Sequence, residues 1–116
     1  MRFLVLLTED DHFARWEALD DAERERAFAD YRAFSGAVRE RGSILAGDAL
    51  HEPGAARTVR PGPERAVTEG PYAETVEQLG GFYLIDVPTL ADALAAARLL
   101  PEEYTIEVRP TLEVEV

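Results

Sequence analysis

The chain has 116 residues, 47% hydrophobic and 30% charged, with no cysteine; that suits one domain over residues 1–116 and excludes a disulfide framework, a thiolate metal site and a thiol nucleophile. Its 23 acidic residues outweigh 12 basic ones, for a net charge of −11, and every basic residue is Arg. Phosphate polyanions and anionic membrane surfaces are therefore disfavoured partners, and no lysine exists for Schiff-base or P-loop chemistry.

Residues 3–7 form a continuous apolar run, the pattern of a strand buried on both faces. No apolar run approaches the roughly 20 residues that span a bilayer. The N-terminus lacks the small-residue cleavage site of a secretion signal, so the expected setting is cytoplasmic. Residues 8–20 are polar and end the strand, and 9–12 (Glu9, Asp10, Asp11, His12) read as a solvated loop rather than a metal site. Asp20 and Glu23 have capping-box spacing and predict a helix start. Ala27, Phe28, Tyr31, Phe34, Ser35 and Val38 then share one helical face, and Gly42 is the expected C-cap. A second strand is predicted over 43–50, with Gly47 as a bulge or a point of close approach. Residues 56–60 and 65–68 read as a hairpin around Pro61-Gly62-Pro63, and 73–78 as one helical turn. Gly80-Gly81 opens a strand over 82–87. Thr89 caps a helix whose stripe is Leu90, Ala93, Leu94, Ala97 and Leu100, stopped by Pro101. Tyr104, Ile106 and Val108 alternate with polar residues as a half-buried strand does, and Leu112, Val114 and Val116 continue that alternation.

The order β-α-β, hairpin, β-α-β predicts an α+β fold: a ferredoxin-like split β-α-β with an inserted β-hairpin. Two helices cover one face of such a sheet, so the other predicts a homodimer.

Residues 69–87, which begin Glu69-Gly70-Pro71-Tyr72-Ala73-Glu74-Thr75, closely resemble the signature of the YCII-related family in its DGPF branch. The N-terminal strand, residues 46–53 and residues 106–110 follow in family order. The resemblance implies a dimeric α/β barrel of ferredoxin-like protomers. It also implies an accessory or regulatory setting, with a functional link to extracytoplasmic-function sigma factors. Glu69 stands where the branch has Asp, Tyr72 where it has Phe, and Val76 where it has Lys. The position of the wider family's helix histidine, proposed to work with an Asp in a catalytic dyad, falls on Tyr31. A phenol with a pKa near ~10 is a poor base at neutral pH, so that dyad does not transfer.

Candidate site residues cluster around the turns. His51 follows Asp48 by three residues at a strand end, where a carboxylate orients an imidazole for acid–base work. Glu69, beside Gly70, is a third candidate catalytic group. Tyr31, Arg57, Tyr72 and Arg109 are candidate ligand contacts; Arg109 is expected to pair with Glu69 or Asp48. Glu74 and Glu77 read as structural. No cofactor motif or metal-ligand spacing is evident; Gly80-Gly81 precedes a strand, where a phosphate cradle precedes a helix. Three functions follow: a small-molecule-binding protein, a lyase- or isomerase-type enzyme using His51 with Asp48 and Glu69, and a ligand-free dimeric interaction module. Convergence of ionisable groups in a pocket separates them.

Overall fold

Alternation along the first strand sets the layers. In β1 (Arg2–Asp10), Phe3, Val5, Leu7 and Glu9 are buried on one face, while Leu4, Leu6 and Thr8 are half-buried on the other. The computed structural model describes residues 1–72 and 77–114, with backbone alone at Glu77. A short helix α1 (His12–Ala18) and a long helix α2 (Asp21–Arg41) follow, then β2 (Ser43–Ala49). A single 3-10 turn over Pro53–Ala55 leads into the hairpin of β3 (Arg57–Val59) and β4 (Val67–Glu69), and β5 (Glu77–Asp86), α3 (Leu90–Ala97) and β6 (Thr105–Pro110) complete the chain.

The main sheet is antiparallel, in the order β2-β5-β1-β6, and β3-β4 is a separate two-stranded sheet. This is the strand order of a split β-α-β, and within one chain the sheet stays open. The helices pack on one face. Phe34 and Val38 from α2 and Ala93 and Ala96 from α3 close over Phe3, Val5 and Ile85. The opposite face carries Leu4, Leu6, Phe82 and Leu84, with no helix over it among the described residues.

The capping box is present as predicted: the Asp20 side chain accepts from Glu23 N (2.8 Å), and the Glu23 carboxylate accepts from Asp20 N (3.1 Å). Gly42 caps α2, but with extended φ rather than in the left-handed region. A side chain there would collide with the Asp86 backbone. Gly47 is the point of close approach, because a Cβ would lie 2.7 Å from the Tyr83 ring. The bulge falls instead between Ile44 and Ala46.

Several expectations are corrected. Residues 8–10 extend β1, and residues 12–18 form α1 where a polar loop was expected. Gly80 and Gly81 lie inside β5, and Glu77 and Gln78 belong to that strand rather than to a helical turn. Residues 73–76 of that predicted turn, with Glu74, lie outside the described residues. Leu90 and Leu94 are exposed, and Ala93, Ala96 and Ala97 face inward, because small residues let α3 approach the sheet closely. Leu112 and Val114 do not continue β6; no strand pairs with them among the described residues, and Val116 lies outside those residues. Among the described residues, no helix is long and apolar enough to cross a membrane.

Candidate functional site

The site begins where β1 ends. The alternation that buries Phe3, Val5 and Leu7 also carries Glu9 inward, leaving it 4% exposed. A buried carboxylate is tolerated only when its oxygens are satisfied, and the next two turns of chain supply the donors. Asp11 takes a left-handed conformation (φ 49°), which short Asx side chains adopt most readily among non-glycine residues. That bend starts α1 at once and folds it back over the strand end. His12 Nδ1 lies 2.8 Å from Glu9 Oε2. Arg15, one helical turn on, donates from Nε to Oε1 and from Nη2 to Oε2 (3.1 Å). The hydrogen bond from Arg15 to Glu9 pushes the guanidinium pKa up, against the opposing pull of burial.

This arrangement selects the imidazole tautomer. The Glu9 carboxylate only accepts, so Nδ1 carries the proton and the neutral ring keeps its lone pair on Nε2. Nε2 has no hydrogen-bond partner among the described residues. The His12 residue is 7% exposed, and its ring rests against Gly80, where an added Cβ would lie 2.6 Å from Nε2. Phe13 meets it edge-on at 4.8 Å between centroids, and Tyr104 lies at 5.5 Å.

Beside it, the Tyr31 and Tyr104 hydroxyls share a 2.6 Å hydrogen bond. Burial pushes both phenol pKa values up; the shared bond adds to the rise at Tyr31 and opposes it at Tyr104. Both groups therefore keep their protons at neutral pH. One proton makes the shared bond and the other is left to donate.

These groups line an open cleft of about 700 Å³ between the sheet and helices α1 and α2. Phe13, Trp16, Phe28, Tyr31, Tyr83 and Tyr104 form its aromatic walls. Asp48, Leu50, His51 and Glu52, all exposed, line it from the end of β2 and the turn beyond. No Arg is among the described lining residues. Trp16 is held by Arg24, which lies 5.7 Å from the indole centroid and donates to the Trp16 carbonyl (3.1 Å).

Of the residues singled out in the sequence, Asp48, His51 and Tyr31 line the cleft. Asp48 lies opposite Phe82 in the β2–β5 register, and no hydrogen bond joins it to His51. Glu69 ends β4, on the hairpin and outside the cleft lining. Arg57 begins β3, where Nη1 donates to the carbonyls of Gly54 (3.0 Å) and Ala56 (2.8 Å). Tyr72 is 83% exposed. Arg109 pairs with Glu107 at 2.6 Å, not with Glu69 or Asp48, because strand alternation puts residues 107 and 109 on the same face. The solvated loop expected at residues 9–12 is overturned at both ends, since Glu9 and His12 are buried partners. The signal for this was present: Glu9 is in phase with Phe3, Val5 and Leu7, and His12 and Arg15 follow at intervals of three. Among the described residues, no three His, Asp or Glu side chains gather as a metal set.

The fold and site define an α+β domain with one helix-covered sheet face and an aromatic-walled cleft at the strand ends. The chain belongs to the YCII-related family, whose domain model matches residues 1–114. It is also 38% identical, over 115 residues, to an uncharacterized protein of Rhizobium meliloti (strain 1021); the match covers 95% of this chain and 91% of the relative.

Proposed function

We propose that the protein binds a small organic molecule in the cleft between its sheet and helices α1 and α2, in an accessory or regulatory role. One observation carries the reading: a mostly apolar, aromatic-walled cleft of about 700 Å³ into which a few polar groups converge. That combination is what small-molecule sites are built from. His12, Tyr31 and Tyr104 are its inner polar groups, and Asp48 and His51 are exposed groups at its border. A homodimer paired through Leu4, Leu6, Phe82 and Leu84 belongs to the same reading, and would form the dimeric α/β barrel that the family resemblance implies. Support for it is the apolar character of a sheet face that no helix covers among the described residues. The DGPF branch and the link to a sigma factor rest on the likeness of residues 69–87. The alternative of an acid–base enzyme using His51, Asp48 and Glu69 lacks the convergence it needs, because Glu69 lies outside the cleft lining.

Trp16 is the chain's single tryptophan and lines the cleft, so its emission reports occupancy. In a metabolite screen, a true ligand changes that emission saturably and loses affinity in Tyr31→Ala. The reading falls if no compound changes the emission, or if every hit binds Tyr31→Ala as well as it binds the parent protein.

A further inference from the structure

His12 and the Tyr31–Tyr104 pair all line the cleft, and bring one acceptor and one donor to it. The acceptor is His12 Nε2, on a residue 7% exposed, fixed from behind by Glu9 and unpartnered among the described residues. The donor is the second proton of the Tyr31–Tyr104 pair. The His12 and Tyr104 rings are neighbours at 5.5 Å between centroids, and both line the cleft. Both reach the cleft space, so a ligand that displaces water there loses affinity unless it replaces those hydrogen bonds. The group that satisfies both at once donates and accepts, as a hydroxyl does.

Charge narrows the class. A carboxylate or phosphate would find no Arg among the described lining residues, in a protein of net charge −11. An ammonium group can donate to Nε2 but has no lone pair for the tyrosine proton. The walls set the shape of the remainder: rings at Phe13, Trp16, Phe28 and Tyr83 favour a flat, apolar body. Gly80 completes the design, since any side chain there would displace the imidazole.

We propose that the ligand is an uncharged aromatic molecule bearing a hydroxyl, which donates to His12 Nε2 and accepts from the Tyr31–Tyr104 pair. This rests on the cleft being a ligand site, and the test separates the two claims. The chain has only two histidines, so 15N-histidine labelling gives two imidazoles, assigned with His51→Gln. The probes are phenol, toluene, benzoate and benzylamine, each titrated while Trp16 emission and the imidazole 15N resonances are followed. Phenol is expected to change Trp16 emission, to shift His12 Nε2, and to bind about tenfold more tightly than toluene. Benzoate and benzylamine are expected to bind more weakly than phenol. In His12→Phe, the preference for phenol over toluene disappears. Phenol binding that leaves the His12 resonance unmoved overturns the ligand class and leaves the cleft reading standing. So does benzoate or benzylamine binding as tightly as phenol. No Trp16 response to any of the four overturns both. The resonance test uses the parent protein, so it stands even if a His12 variant fails to fold.

Discussion

Replacing Gly80 with Ala tests the packing at the centre of the site, because two effects of opposite sign meet there. Gly in a strand interior costs about 0.5–1 kcal/mol relative to Ala, through the freedom it loses on folding. The φ of Gly80 lies outside the left-handed region, so an unobstructed substitution would stabilise the protein by that amount. The site is obstructed. The new Cβ would lie 2.6, 2.8 and 3.0 Å from Nε2, Cδ2 and Cε1 of His12. The ring has little room to yield, because Glu9 holds Nδ1 and Phe13 packs against it. Overpacking of this kind costs about 1–3 kcal/mol. The collision offsets or exceeds that gain, and the net destabilisation should be about 0–2.5 kcal/mol. Gly36 is the control: it lies within α2 with nothing within 4 Å of its would-be Cβ, and Gly36→Ala should stabilise by roughly 0.5–1 kcal/mol. Urea midpoints at a shared slope measure both. Adding His12→Ala to Gly80→Ala should return at least about 1 kcal/mol of favourable coupling. If Gly80→Ala is more stable than the parent protein by about 0.5–1 kcal/mol, the gain of an unobstructed site, the imidazole does not rest where the argument needs it.

Three further outcomes are expected. Glu9→Gln keeps the shape but presents an amide NH₂ to either His12 Nδ1 or Arg15 Nε, both of them donors; urea unfolding should show a loss of about 1–3 kcal/mol, and a loss below about 0.5 would mean that the carboxylate organises nothing. Tyr31 and Tyr104 hold their protons more tightly folded than unfolded, so the stability this contributes is intact below about pH 10, the usual phenol value, and falls as pH rises beyond it. Urea midpoints should therefore fall less steeply above that pH in Tyr31→Phe than in the parent protein, and parallel curves would contradict this. Sedimentation equilibrium should find twice the 12.9 kDa chain mass, reduced to the chain mass by Leu6→Glu on the uncovered face; a parent protein sedimenting as a monomer removes the dimer.

Local chemistry made much of the frame legible. The capping box at Asp20 and Glu23, the Thr89 cap, the apolar run of β1, the alternation of β6, and the Pro61-Gly62-Pro63 turn are all short-range patterns, and each marks its element within a few residues. The order of those elements leads to the split β-α-β sheet, since few topologies join them without crossing. Tyr31 was legible as a cleft residue only in part: its spacing marks a buried helical face but does not say that the face opens on a cavity. The centre of the site was hidden for a different reason. Glu9, Asp10, Asp11 and His12 form a polar run, and polar runs are usually solvated. What buries the two ends of this one, and puts His12 in the lining of a cleft, is the long-range sheet that covers β1 as far as Glu9, together with an Arg six residues on that satisfies the carboxylate. Composition and periodicity therefore determined most of the strands and the two longer helices, though not α1, whose polar sequence reads as a loop. The strand phase already points Glu9 inward; tertiary structure decided that it can stay there as a carboxylate, because the bend at Asp11 folds His12 and Arg15 back onto its oxygens and a buried charge depends on such partners.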